Sequence, residues 1–225
     1  LILRDPRDLI ASIHHRVLDN QTGDPRPVLY SLRAWRKSVA VALAYASSPA
    51  FRWLRYEDLT ADPSGQLQAV SALLGVPSVE AGVFAEGIRL RDGSIWRSNS
   101  SFEGMVGISA ASRGRYRKVL SDDVVRYIEA VCSPEMGAVG YALEGSGEAD
   151  EGFLLGFQEP SPRVHRMFAP DYSRSSSRIT REIERLGHLV AGSPVLSDDE
   201  ARKWFIHPAA YSALRSAARG PGARS

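Results

Sequence analysis

Apolar positions along the chain follow two periods. Short apolar runs at residues 1–3 and 51–56 predict two strands. Asp5-Pro6 then starts a helix, because Pro suits the first helical turn and Asp the positive end of the helix dipole. Leu9, Ile10 and Ile13 give that helix an apolar face. Residues 19–27 are a loop by composition. Leu29, Leu32, Trp35, Val39, Ala42 and Leu43 recur at helical spacing and predict a longer helix over residues 28–47. Asp62-Pro63 opens another helix carrying Leu67, Val70, Leu73 and Leu74, which ends near Gly75 with Pro77 beyond. A turn or short helix is expected over 78–87.

Periodicity fades over residues 89–118, where Gly, Ser, Asn and Arg accumulate; loops of this length in compact domains are usually functional or disordered. Ser121-Asp122-Asp123 caps a helix bearing Val124, Val125, Ile128 and Val131, and residues 134–141 add one more turn. The Gly- and Glu-rich stretch 144–152 reads as a linker. Beyond it, Ile179, Ile183, Leu186 and Val190 sit at helical spacing, a last helix falls between Ser197 and about Ala218, and 220–225 is a disordered tail. The expected organisation is a domain over 1–143, the linker, and a helical extension over 153–219. Strand followed by helix, twice, predicts an α/β fold with a parallel sheet.

Composition narrows the function. The chain has 225 residues, enough for one sizeable core. It lacks an apolar run long enough for a membrane-spanning helix, and no signal peptide is visible, so a cytoplasmic location is expected. The single cysteine, Cys132, excludes a disulfide scaffold and a cysteine-based zinc site and reads as a small core residue. His165, His188 and His207 lack metal-ligand spacing. A formal charge of +2 gives no expectation of nucleic-acid binding. The chain opens on Leu1 as though in the middle of a strand, and its first Met is Met105, so it is expected to be the C-terminal part of a longer protein.

The strongest chemical signal is residues 4–12. Arg4 stands at the carboxyl end of a predicted strand, where open α/β sheets bind ligands, and Ser12 lies about two helical turns on. The two can converge on one phosphate, Arg with a planar charged fork and Ser with a neutral hydrogen bond. Equally, Arg4 can pair with Asp5 or Asp8 and leave Ser12 as a surface residue. Downstream, Arg113, Arg115, Arg117 and Lys118 place four cations in six residues, and Gly114 permits close backbone approach to an anion. A solvated basic loop before a helix is the alternative.

These residues resemble sulfotransferases that use 3′-phosphoadenosine-5′-phosphosulfate (PAPS). In that family an Arg at the strand end and a Ser eight residues later bind the 3′-phosphate, the spacing of Arg4 and Ser12. Arg55-Tyr56-Glu57-Asp58-Leu59 resembles the family's Tyr-Glu-Asp segment, whose Tyr lies by the adenine; Tyr56 can also be a core aromatic. Ser100-Ser101-Phe102-Glu103-Gly104-Met105 resembles the segment that encloses the adenine, with Phe102 offering a ring for stacking or, alternatively, plugging the core edge. Ser112-Arg113-Gly114-Arg115-Tyr116 resembles the loop that covers the 3′-phosphate. The resemblance covers about residues 1–143 and is nearest the bacterial branch with a Trp-Arg-x-Asn-Ser-Ser-Phe stretch, here residues 96–102. The family's Gly-rich 5′-phosphosulfate loop has no counterpart in the chain. Its catalytic base normally precedes the strand that begins here; His14 and His15 fall on the wrong side of the motif.

The resemblance implies a P-loop-NTPase-like parallel sheet flanked by helices, truncated at its N-terminus and followed by a helical extension. It implies sulfuryl transfer from PAPS to a hydroxyl or amine of a small-molecule or carbohydrate acceptor, without a metal. Arg4, Ser12, Arg113, Gly114 and Arg115 would hold the 3′-phosphate, and Tyr56, Ser100 and Phe102 would enclose the adenine. Catalytic residues are expected upstream of Leu1. Two alternatives stay open: a non-catalytic nucleotide-binding or protein-interaction module derived from such an enzyme, and a P-loop small-molecule kinase.

Overall fold

The computed structural model describes residues 1–18, 25–78, 82, 90–94 and 110–218. The expectations for residues 19–24, 79–81, 83–89, 95–109 and 219–225, with Ser100 and Phe102 among them, lie outside the described residues.

Two strands form, β1 (Ile2–Leu3) and β2 (Leu54–Arg55), paired in parallel with Ile2 opposite Leu54 and Leu3 opposite Arg55. The expected P-loop-NTPase-like sheet is not present: this two-stranded pair is the only sheet among the described residues, which are mostly helical. Both strands are also short, for local reasons. β1 stops at Arg4 because Asp5 and Pro6 start a helix at once. β2 stops because Tyr56, expected to close the strand, instead opens a helix.

The helix starts follow the side chains. α1 (Pro6–Leu18) begins on Pro6, and Asp5 Oδ1 accepts the Arg7 amide at 2.9 Å. α2 (Val28–Ala44) buries Val28, Leu29, Leu32, Trp35, Val39 and Ala42. After the short α3 (Tyr56–Ala61), α4 (Pro63–Leu74) is capped by Asp62, which accepts the Gly65 amide at 3.0 Å. It ends on Gly75 at φ +65°, a left-handed C-cap that favours glycine.

A single 3₁₀ turn (Ala110–Ser112) and the four-residue α5 (Tyr116–Val119) precede α6 (Asp122–Ala138). Ser121 occupies the N-cap position of α6, but its side chain makes no capping hydrogen bond. The turn expected after residue 134 is a continuation of α6, which runs through Pro134. α7 (Glu151–Gly156) follows, then a second 3₁₀ turn (Tyr172–Arg174), α8 (Ser176–Gly187), α9 (Asp198–Phe205) and α10 (Pro208–Ala218). The single last helix expected from 197 to about 218 is therefore two. Ile206 breaks it at φ +73°, and Pro208 restarts it as a first-turn residue.

Leu3, Ile10, Leu29, Leu32, Val39, Tyr127, Ile128, Val131, Cys132 and Met136 form the main core, with Ile179 from α8 joining it. Leu189, Phe205, Tyr211 and Leu214 form a second cluster, and Leu43 touches both. α10 packs on α2 and α6. The inner face of α8 follows its aliphatic spacing only in part. Ile179, Glu182 and Arg185 are buried, while Ile183 and Val190 are exposed. Glu182 is the reason: it meets Arg36 at 2.5 Å, Arg33 at 2.7 Å and Arg185 at 3.2 Å, and Arg185 meets Glu135 on α6 at 2.6 Å. Arg36, Glu135, Glu182 and Arg185, on three helices, thus take core positions by pairing with one another, with Arg33 at the edge. No helix among the described residues is long and apolar enough to cross a membrane.

Candidate anion site at the end of the first strand

Arg4 leaves the end of β1, and its backbone is held in place. The Trp35 indole Nε1 on α2 donates to the Arg4 carbonyl at 2.8 Å. The Arg4 guanidinium lies 5.0 Å from the centre of the Tyr56 ring at the start of α3. One of its terminal nitrogens donates to the Ser112 carbonyl at 2.9 Å, and the Tyr56 and Ser112 hydroxyls are 2.9 Å apart. Arg4 Nε is buried and has no hydrogen-bond partner. A buried donor without an acceptor is costly, and it is the atom that an oxyanion at this place would satisfy.

Asp8, one turn into α1, fixes the basic loop. Its carboxylate accepts the Gly114 amide at 2.7 Å and the Tyr116 amide at 3.0 Å. Burial pushes the Asp8 carboxyl up from its ordinary range, while those two amides and the Arg4 charge act the other way. Gly114 adopts φ +66°, and a β-carbon there would come within 2.8 Å of Arg117 Nη1. The conformation therefore favours glycine, whereas the exposed Arg117 side chain could move aside. The helix after Arg115, α5, is a single turn, and Asp8 already takes its first amide.

A buried ionic frame underlies the site. Arg7 bonds Asp5 at 2.7 Å and Glu129 at 2.6 Å, and its guanidinium lies 4.6 Å from the Tyr116 ring centre. Asp5 therefore pairs with Arg7, leaving the neighbouring Arg4 to the loop. Glu57 accepts the Asp5 amide at 3.1 Å and the Tyr141 hydroxyl at 2.7 Å. Asp58 pairs with Arg55 at 2.7 Å. The Tyr-Glu-Asp run thus divides its work: Tyr56 faces Arg4, while Glu57 and Asp58 hold the backbone around it.

The structure brings Arg4, Tyr56 and Gly114 together through Ser112 and Asp8. Arg113 is exposed and Arg115 half-buried, both on the turn that Asp8 grips. Ser12 is half-buried on α1, four residues after Asp8 and so on the same helix face, one turn further along. Ser100 and Phe102 lie outside the described residues. Sequence reasoning missed Ser112 as the partner of Arg4, Trp35 as its support and Asp8 as the anchor of the loop. A cavity of about 980 Å³ lies elsewhere, between α6, residues 146–150 and α8. No protein-family model, curated protein or solved structure matches the chain.

Proposed function

We propose that this chain forms the nucleotide end of a PAPS-dependent sulfotransferase site, acting in the cytoplasm. The observation that carries the reading is the buried, unpartnered Arg4 Nε where the end of β1 meets the Ser112–Arg115 turn. Arg4 supplies the charged fork for the 3′-phosphate, and Gly114 lets the loop backbone come close. Arg113 and Arg115 add charge from the loop, and Ser12 adds a hydroxyl from α1. Tyr56, beside Arg4, borders the adenine together with Ser100 and Phe102. Asp8 and Trp35 are positioning residues, since each acts through the backbone it holds.

In the proposed reaction a hydroxyl or amine of a small-molecule or carbohydrate acceptor attacks sulfur. The bond between sulfur and the phosphate oxygen breaks, and the acceptor proton and adenosine 3′,5′-bisphosphate leave. Catalysis of such group transfer rests on positioning and on stabilising charge. The residues assigned here bind and orient the nucleotide.

Calorimetric titration tests the reading. Adenosine 3′,5′-bisphosphate should bind more tightly than adenosine 5′-monophosphate, and Arg4→Ala should weaken the bisphosphate alone by about 1.5–3 kcal/mol, the range for a charged hydrogen bond. Equal affinity for the two nucleotides, or an unaffected Arg4→Ala variant, would remove the 3′-phosphate assignment. Preference for magnesium-ATP would instead support a kinase.

A further inference from the structure

A second anion-friendly feature lies away from Arg4, in a cleft of about 260 Å³ between α2, α8 and α9. Six cationic side chains line it against two carboxylates. Arg33, Arg36 and Arg185 are engaged with Glu182 and Glu135. Lys37, Arg181 and Lys203 form no ion pair among the described residues, although Lys203 acts at a distance on Glu200, so the lining carries more positive than negative charge. Glu135 runs against this pattern. It is 3% exposed, one of its oxygens binds Arg185, and its Oε2 is buried without a hydrogen-bond donor. A simple anion would neutralise the lysines but leave that oxygen unsatisfied. A ligand with both an anionic group and a hydroxyl answers both demands.

Two further observations lie at the same place. The half-buried Trp204 indole forms an apolar wall, with Lys203 Nζ 5.3 Å and the Arg181 guanidinium 5.5 Å from its ring centre. Ile206, which also lines the cleft, holds φ +73°, a costly conformation for a β-branched residue. Strained backbone of this kind persists only where its surroundings over-determine it, and it concentrates at ligand sites. The volume lies below the roughly 300–1,000 Å³ of ordinary small-molecule pockets, which favours a compact ligand over a nucleotide. We propose that the cleft between α2, α8 and α9 binds a phosphorylated polyol of sugar-phosphate size, its phosphate facing Lys37, Arg181 and Lys203 and a hydroxyl donating to Glu135. Such a ligand ties the C-terminal helices to α2 and is independent of the nucleotide site.

Glucose 6-phosphate, ribose 5-phosphate and glycerol 3-phosphate, with inorganic phosphate and glucose as references, are titrated into the full chain by calorimetry. Hydrogen exchange locates the binding. At least one phosphorylated polyol should bind about tenfold or more tightly than inorganic phosphate and protect residues 176–206. The double variant Lys37→Ser/Lys203→Ser changes two exposed side chains, so it should fold as the parent does and bind about tenfold more weakly. The proposal is overturned if none of the three binds, or if inorganic phosphate binds as well as all of them. Protection confined to residues 110–116, or undiminished affinity in the double variant, overturns it equally.

Discussion

Glu182→Gln should destabilise the protein by about 3–5 kcal/mol, the cost of breaking a buried ion pair by removing one partner. Gln keeps the volume and removes the charge that holds three guanidinium groups. Arg36 and Arg185 are nearly as buried as Glu182 itself, so neither can turn to water when the carboxylate goes. Arg33, with a quarter of its side chain exposed, can, and Arg33→Ala should cost less than about 1 kcal/mol. Urea unfolding of the two variants checks this, and similar losses in both would show that the network is not organised around Glu182. Acid gives a second readout. Burial alone would raise the Glu182 carboxyl, but Arg36, Arg185 and Arg33 hold it down to about 2 from an ordinary 4.5. A depressed carboxylate stabilises the fold fully above its unfolded value and loses that stabilisation as pH falls toward the folded value. The parent should therefore lose about 3 kcal/mol between pH 4.5 and 2 on account of this group, a loss that Glu182→Gln does not show.

That network marks where the sequence pattern stops being informative. Spacing of Ile179, Ile183, Leu186 and Val190 located α8 and its buried Ile179, but Ile183 is exposed and Val190 lies past the helix end. Glu182 and Arg185 read as solvent positions until their partners are known, and Arg36 lies 146 residues from Glu182. Local chemistry succeeded where the determinant is local. Asp5-Pro6 and Asp62-Pro63 start helices because the carboxylate caps amides two or three residues on. The sheet failed for the opposite reason. Apolar runs at 1–3 and 51–56 specify extended chain and their mutual pairing, but whether further strands join them is a long-range matter. The length of β2 turned on Tyr56 entering a helix.

The candidate site was legible in part for the same reason. Arg4, Tyr56 and Gly114 belong to segments that the sequence singled out, and the fold brings them together. The contacts that do so, from Trp35 to the Arg4 carbonyl and from Asp8 to the 114–116 backbone, are made through main-chain atoms that carry no residue signature. The alternative left open for Arg4 was pairing with Asp5 or Asp8. Each carboxylate has other donors, Arg7 for Asp5 and two amides for Asp8, and that is what leaves Arg4 Nε unsatisfied.

His14 should make the protein lose about 2 kcal/mol of stability between pH 7 and pH 5, and His14→Leu should abolish that loss. The sequence places this residue on the wrong side of the anion motif for the expected base. In the structure it is 1% exposed on α1, and neither ring nitrogen has a hydrogen-bond partner. Burial with nothing to stabilise the cation pushes its pKa down to about 4 from an ordinary 6.5. The unfolded chain takes up the proton first, so stability is full above pH 6.5 and falls as pH drops toward 4. The pH 7 to 5 window isolates His14 from Glu182, whose carboxylate stays ionised throughout it. Leu is close to His in volume and has no polar atoms to leave unsatisfied, so the variant should be at least as stable as the parent at pH 7. Denaturant midpoints at the two pH values decide the matter. A parent and variant with the same loss would mean that the folded protein stabilises the imidazolium, and that the acid sensitivity belongs to another group.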